Sequence, residues 1–451
     1  MNFMAKIEEE ASKLKELLEN KRWVRVLSHL DADGLCSGAI IAQMLCRLGI
    51  GFHLSTLRQM EKETIKQIAE EKLCILTDLG SFHLREMEKV KGEIFVLDHH
   101  QILEKRAKVH LLNPNQFELD GSNQISASGI CYLLAKSIDE RNRDLIELAI
   151  VGAVGDRQVI GGELVGLNRQ ILEEGVRIGE VEVRRGLRIF GRLSKPIYRA
   201  LEHCIDPYIP GVSGNESGTV QFLASIGIEA RDGDRLRRLC DLSEEEQKKL
   251  VSAIVMRRIG LAKPEDVLGE IYRLRSFEDA NEAATLLNSC GRLGYPGIGL
   301  ALAMGDKQSY SLAEKVVFEY RNALLRSLEW IEKNLENPEV VQQRKAIYLI
   351  CKDQVSDLLI GTLCSILLGS KDWEVVVGFA ESDGRIKVSL RTRSKLNLGK
   401  IAMQIAMEKG WEGGGHKNAA GLLIPKGCEK VFIEIFERKI GEKHEEGKAL
   451  V

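Results

Sequence analysis

Four short segments carry acidic and histidine side chains just after apolar runs. They are Ser28-His29-Leu30-Asp31-Ala32-Asp33-Gly34, Thr77-Asp78, Asp98-His99-His100 and Gly155-Asp156. In an extended chain His29, Asp31 and Asp33 point to one face. Five carboxylates (Asp31, Asp33, Asp78, Asp98, Asp156) and three imidazoles (His29, His99, His100) would repel one another at a shared place unless cations were there. Carboxylate and imidazole ligands without thiols suit Mn²⁺ better than structural Zn²⁺, with Mg²⁺ as the alternative. Six or seven ligands are too many for one catalytic ion with open positions. They suffice for two ions sharing a bridging carboxylate, as in two-metal hydrolysis. A lone Asp after a strand is ordinarily a helix cap or turn residue. Recurrence at four such places argues for a metal centre instead.

These segments need a scaffold that brings them together. Trp23–Leu27, Phe52–Thr56, Cys74–Thr77 and Ile94–Leu97 read as short apolar strands. Helices are expected over 5–20, about 35–48, 61–71 and the apolar 145–154. Continuous apolar strands separated by helices predict a parallel sheet covered on both faces. Ligands of such sheets bind at the carboxyl ends of the strands. Residues 163–330 read as mostly helical, with a long helix from about 313 to 334 stopped at Asn337-Pro338. From Ala346 a second α/β unit begins, in which Glu374–Phe379 and Arg385–Arg391 flank the hairpin signal Asp383-Gly384. The expected fold is therefore α/β: a parallel-sheet domain over 1–190, a helical connecting region over 191–335 and a smaller C-terminal α/β domain over 336–451.

Composition narrows the function. The 451 residues are 44% hydrophobic and 29% charged, which excludes disordered, collagen-like and disulfide-scaffold classes. Lys+Arg 64 against Asp+Glu 66 leaves a net charge of -2, so nucleic acid would have to be bound by local basic patches. One candidate patch is Arg184, Arg185, Arg188, Arg192, Lys195 and Arg199, with Phe190 and Tyr198 among them. On a helix, 184, 188, 192, 195 and 199 form one stripe, which Pro196 would interrupt. Such a stripe can follow a phosphate backbone while an aromatic stacks on a base, although a charge run by itself is more often a solvated face. No apolar run reaches the 18 residues of a membrane span, and the N-terminus has no apolar signal core. No membrane association is expected. Ten cysteines without a C-x-x-C pair read as buried thiols in a reducing cytoplasm.

As a set, S-H-x-D-x-D-G, an Asp after a strand, D-H-H and G-D resemble the four-motif signature of the DHH phosphoesterase family. Gly413-Gly414-Gly415-His416 and Val388-Ser389-Leu390-Arg391 resemble the G-G-G-H and S-x-R elements of that family's associated C-terminal domain. The resemblance implies that His29 and Asp31 bind one metal, that Asp33, His99 and Asp156 bind the other, and that Asp78 bridges both. Asp98 would orient a ligand imidazole, and His100 would face the substrate phosphate or leaving oxygen. Ser389, Arg391, Gly413, Gly414, Gly415 and His416 would bind substrate across a cleft, with Arg188 and Arg192 of the basic stripe following the strand. Asn113-Pro114, Ile125–Gly129 and Leu286–Arg292 are similar to stretches of RecJ-like proteins of the archaeal type, a group that includes a nuclease associated with the GINS replication complex. The implied activity is a single-strand-specific exonuclease of DNA repair or replication, acting on DNA or RNA. An oligoribonuclease or a linear or cyclic dinucleotide phosphodiesterase is the alternative, and a non-catalytic replication scaffold the competing class. A GINS-type complex is an implied partner, and self-association is left open.

Overall fold

The computed structural model describes residues 2–19, 22–102, 109–204, 207–259, 267–335, 340–343, 346–370 and 373–448. They divide into two compact units. One comprises Met1–Ala200, Ala230–Gln247 and Asp266–Tyr320; the other comprises Leu201–Glu229, Lys248–Glu265 and Arg321–Val451. The stretch expected as a separate connecting region over 191–335 is thus shared between the two.

In the first unit, α1 (Phe3–Glu19) precedes β1 (Trp23–His29), α2 (Ala32–Arg47), β2 (Gly51–Leu57), β3 (Leu73–Thr77), β4 (Glu93–Leu97) and β5 (His110–Leu112). The five strands form one sheet in the order β2-β1-β3-β4-β5, and every pairing is parallel. All of β3 is buried, which is why it reads as an unbroken apolar run. α3 (Ala127–Ile138) and α4 (Ile146–Gly155) follow and share one core with α1, α2 and the sheet. α1 shows why a helix forms there: Phe3, Ile7, Ala11, Leu14 and Leu18 recur at helical spacing and are buried on one face.

The basic stripe does not form as a helix. Arg184 and Arg185 lie in β6 (Val181–Leu187), which pairs antiparallel with β7 (Leu268–Leu274), and Arg188 N–H extends that ladder to Val267 O at 2.8 Å. Alternation of Val181, Val183 and partners with charged residues follows the two-residue strand period, which prevails over the helical spacing of the arginines. Arg184 pairs with Glu182 at 2.7 Å and Lys195 with Glu314 at 2.8 Å. The Arg192 Nε is buried without a hydrogen-bond partner. Burial lowers the pKa of this guanidinium, against the pull of Asp279 and Glu282.

After α5 (Ala280–Arg292), the long helix expected from 313 runs over Gln308–Lys333. Its expected stop at Asn337-Pro338 lies outside the described residues. The second unit holds β8 (Val340–Gln343), β9 (Ala346–Ile350), β10 (Val375–Ser382), β11 (Arg385–Thr392), α6 (Leu398–Lys409), β12 (Glu412–Gly415) and β13 (Ala419–Pro425). The sheet order is β8-β9-β10-β11-β13-β12. Only β9 and β10 pair parallel. Asp383 (φ 48°) and Gly384 (φ 78°) make the expected hairpin turn, which needs two left-handed residues. Among the described residues no helix is long and apolar enough to cross a membrane. Most cysteines are buried thiols as expected; Cys46 and Cys240 are exposed and Cys428 is half-buried.

His110 ties α1 to the sheet. Its Nδ1 lies 2.7 Å from Glu10 and its Nε2 3.0 Å from Glu93, and the ring stacks on Phe95. Hydrogen bonding to Glu10 raises the His110 pKa. Burial alone would raise that of Glu10, but His110, Lys6 and Lys13 together hold it down at about 2. A raised imidazole pKa contributes stability below the unfolded value that is lost as pH rises through the folded one. Glu10 contributes above its unfolded value and loses this as pH falls toward 2. His110→Gln should therefore cost about 1–3 kcal/mol near pH 6, and the difference from the parent in thermal melts should narrow as pH rises above the folded His110 pKa.

Candidate metal centre

In the order β2-β1-β3-β4-β5 the chain direction of build-up reverses between β1 and β3, and such a switch point leaves a crevice at the carboxyl ends of the strands. The sequence places its acidic segments there. His29 ends β1. Asp31 caps α2, accepting from Gly34 N at 3.0 Å, and Asp33 lies in the first turn of that helix. Asp78 follows β3 and Asp98 follows β4. Asp156 caps the C-terminal end of α4. Asp78 adopts φ 59°, a left-handed conformation that Asp tolerates better than most residues, and its N–H donates to Leu97 O at 2.9 Å.

Asp78 stands between two imidazoles. Its Oδ1 is 3.1 Å from His99 Nε2 and its Oδ2 is 3.2 Å from His29 Nδ1. His29 Nδ1 also lies 3.1 Å from Asp31, while His99 Nε2 lies 3.7 Å from both Asp33 and Asp156. The far nitrogens face backbone carbonyls: His29 Nε2 meets Arg58 O at 3.1 Å and His99 Nδ1 meets Gly121 O at 2.6 Å. A carbonyl can only accept, so each far nitrogen carries hydrogen and each near nitrogen is left to face the carboxylates. Two ligand sets result, His29-Asp31-Asp78 and Asp33-His99-Asp156, each with its donor atoms within 4.8 Å of one another. This donor chemistry fits oxygen- and imidazole-preferring divalent cations.

Burial and mutual repulsion set the electrostatics. Burial first, then the charges of Asp78 and Asp156, push Asp33 up to about 7. Burial, aided by Asp78 and Asp31, pushes Asp156 up to about 6. Asp31 and Asp98 move the other way. Burial opposes, but His29 holds the Asp31 carboxyl below the usual range, and His100 does so for Asp98. For His29 and His99 burial is again outweighed, here by the surrounding carboxylates, which raise both pKa values. Imidazolium protons thus supply the positive charge that these carboxylates demand, and a cation would supply it in their place.

Residues outside the four acidic and histidine segments brace the ligands. Gln158 is fully buried and directs its amide hydrogens at Gly121 O and Asp156 Oδ2, both at 2.9 Å, while Asn168 donates to its oxygen at 2.7 Å. Asp33 accepts from Ala127 N at 2.8 Å and Ser128 N at 3.0 Å, the N-terminus of α3. Asp98 accepts from Ser81 N and holds His100 Nδ1 at 2.7 Å. Asn113 and Asn115 in turn bind the carbonyls of His99 and His100. Such bonds depend on tertiary pairing, which spacing along the chain does not reveal.

Ser389, Arg391, Gly413–Gly415 and His416 belong to the second unit. The glycines are not a loop. They form the edge strand β12, where Gly414 faces Gly421 of β13, and Gly421 faces Ser389 of β11. That row across three strands bears a single hydroxyl. Arg391 is on the same face two residues on, its Nε donating to Ser365 Oγ at 3.0 Å. Gly415 (φ 144°) ends the strand and the turn follows at His416, whose N–H donates to Ala419 O at 2.7 Å. Pairing with β13 holds these glycines extended. Arg188 and Arg192 lie in the first unit, off any common helix.

A parallel sheet with carboxylates and imidazoles gathered at its switch point, followed along the chain by a mixed-sheet unit with a glycine edge strand, is an α/β protein with a candidate divalent-metal centre. The chain belongs to the DHH family: residues 23–154 match the DHH family N-terminal domain, 189–271 the DHH-CID domain and 343–442 the DHHA1 domain. An uncharacterized protein of Methanocaldococcus jannaschii, MJ0831, is 31% identical over 459 residues, covering 98% of this chain and 99% of that protein. The single-stranded-DNA-specific exonuclease RecJ of Thermus thermophilus is 28% identical over 185 residues, 38% of this chain and 27% of RecJ. The crystal structure of that RecJ with Mn²⁺ matches 97% of this chain with a TM-score of 0.60 at 18% identity, and this chain covers 55% of its length. CDC45 from Entamoeba histolytica matches 97% of this chain and 99% of its own with a TM-score of 0.65 at 12% identity. At these identities the two structures establish a shared fold. Family membership supports a hydrolase of phosphoesters.

Gly152 in α4 tests how tightly the centre is built. A Cβ there would collide with Ser128 Oγ and Asp33 Oδ1. Gly152→Ala should cost about 1–3 kcal/mol in denaturant unfolding and should weaken Mn²⁺ binding, measured by titration, because the group displaced is a candidate ligand.

Proposed function

We propose that this protein is a divalent-metal-dependent exonuclease that hydrolyses phosphodiester bonds of single-stranded nucleic acid, in DNA repair or replication. The observation that carries the reading is the Asp78 carboxylate, with one oxygen on each of two ligand sets. His29 and Asp31 would hold one cation, Asp33, His99 and Asp156 a second, and Asp78 would be shared between them. RecJ of Thermus thermophilus supports the substrate class, and its structures with Mn²⁺ and Mg²⁺ support the cofactor; Mn²⁺ is the favoured ion here. When bound, the cations would lower the pKa of an attacking water and neutralise charge gathering on the phosphate oxygens.

The chain's own residues do the rest. Asp98 orients His100, whose pKa is raised because that carboxylate outweighs burial. His100 so keeps a proton to give to the departing oxygen as the P–O bond breaks, and water returns it. Within the second unit, Ser389, Arg391, His416 and the backbone of Gly413–Gly415 are the residues proposed to recognise phosphate. A replication-complex partner of the GINS type belongs to the same proposal.

Asp78→Ala should lower cleavage of end-labelled single-stranded DNA or RNA by more than about 100-fold. Its melting temperature in EDTA should stay close to the parent's or exceed it, since one repelling charge is gone. Near-native turnover would end the shared-ligand reading. On the parent, kcat/KM should rise at least about tenfold, ~1.4 kcal/mol, from a dinucleotide to a strand of about ten nucleotides. A flat or falling profile, with the dinucleotide best, would make the enzyme a dinucleotide phosphodiesterase.

A further inference from the structure

We propose that Asn288 is a positioning residue of the metal centre, clamping the loop that carries Asp31 and Asp33 to the helix end that carries Asp156. The proposal rests on the two-cation reading above. Asn288 sits on α5, far along the chain from all of the ligands. Its Oδ1 accepts from Ala32 N at 3.1 Å, and its Nδ2 donates to Gly155 O at 3.1 Å. Ala32 lies between Asp31 and Asp33, and Gly155 immediately precedes Asp156.

Both partners are groups that helices leave without intrahelical bonds. Ala32 opens α2, so its N–H has no carbonyl a turn behind it. Gly155 closes α4, so its C=O has no N–H a turn ahead. A single carboxamide offers one acceptor and two donors, and can satisfy one helix start and one helix end together. An apolar residue of the same volume could bridge neither.

The geometry leaves no slack. A Cβ on Gly155 would lie 2.5 Å from that of Ala32, so the two backbones are in direct contact. One turn after Asn288, Gly291 passes so close to Leu30 O that it has no room for a side chain. Asp279 fixes the start of α5 by accepting from Asn281 N at 2.7 Å and Glu282 N at 3.2 Å. The clamp has a load to resist. Asp156 and Asp33 repel each other, as do Asp31 and Asp156. Without a tie, the two segments would relax apart and the two ligand sets would lose their spacing.

The test uses full-length Asn288→Ala and Asn288→Leu, the latter keeping the side-chain volume. Mn²⁺ binding is followed by electron paramagnetic resonance of the free ion, and melting is measured in EDTA. Both variants should melt within a few degrees of the parent, and both should bind Mn²⁺ about tenfold or more weakly, the range for lost bonds behind metal ligands. The Mn²⁺ concentration for half-maximal strand cleavage should rise by the same factor, with turnover at saturating Mn²⁺ recovering to within a few-fold. Parent-like Mn²⁺ isotherms in both variants would overturn the proposal, as would failure of both to fold, which would make Asn288 a stability residue. Failure of the metal reading itself shows separately, as a parent protein that binds no Mn²⁺.

Discussion

The Asp78 carboxylate faces His99 with one oxygen at 3.1 Å and His29 with the other at 3.2 Å, and it is almost fully buried. Holding it there is costly. The residue takes a left-handed backbone conformation, and Asp33 and Asp156 are close enough to repel it. The neighbouring structure offsets that cost by fixing each group from behind. Leu97 O takes the Asp78 N–H, Gly121 O and Arg58 O take the far nitrogens of the imidazoles, and the start of α3 takes Asp33. The parallel sheet sets the directions, because three of the acidic segments can emerge side by side only from the carboxyl ends of adjacent parallel strands.

Helix dipoles act unevenly on the site. Asp33 meets the N-terminus of α3, where a negative charge is favoured, whereas Asp156 sits at the C-terminus of α4, where it is not. Both carboxyls are nonetheless raised above the ordinary range. Burial and like charge therefore outweigh the dipole at Asp33, and at Asp156 the dipole acts in the same direction as they do. A centre of this kind is more comfortable with cations than without, so a cation would act as a structural element of the first unit as well as a chemical one.

Much of this was legible from residue types and spacing. Each acidic segment follows an apolar run, and strand β3 is so uniformly apolar that its place inside the sheet follows from composition. The Asp383-Gly384 turn was legible because its backbone geometry admits few residues. Legibility ended where period and pairing compete. The arginines at 184, 188 and 192 have helical spacing, yet Val181, Val183 and Leu187 alternate on a strand, and pairing with Leu268–Leu274 decides the matter. Three glycines suggest a loop, but β13 is there to pair with them. Gln158 was invisible, and Asn288 stood in a stretch singled out by resemblance but without a role, for a different reason: an amide is informative only once its partners are known, and those partners lie up to 256 residues away.

That distance bears on how the parts divide the work. The DHH-domain match ends at 154, yet Asp156, Gln158 and Asn288 all lie beyond it. All of the candidate ligands and the bonds that brace them belong to the first compact unit, which gathers chain from 1 to 320. The candidate phosphate-binding residues, from Ser389 to His416, belong entirely to the second. In the first unit the side chains are braced carboxylates and imidazoles, suited to compact hard cations. In the second, Gly414 and Gly421 form a row without side chains that ends at the buried Ser389, and Arg391 on the same face is held by Ser365 Oγ and Leu390 O, so that backbone rather than carboxylate lines the row. On the proposed function, metal affinity is therefore governed by contacts internal to one unit and phosphate recognition by contacts internal to the other. Substrate length and identity can then change through the second unit without disturbing the charge balance at Asp78 on which the first depends.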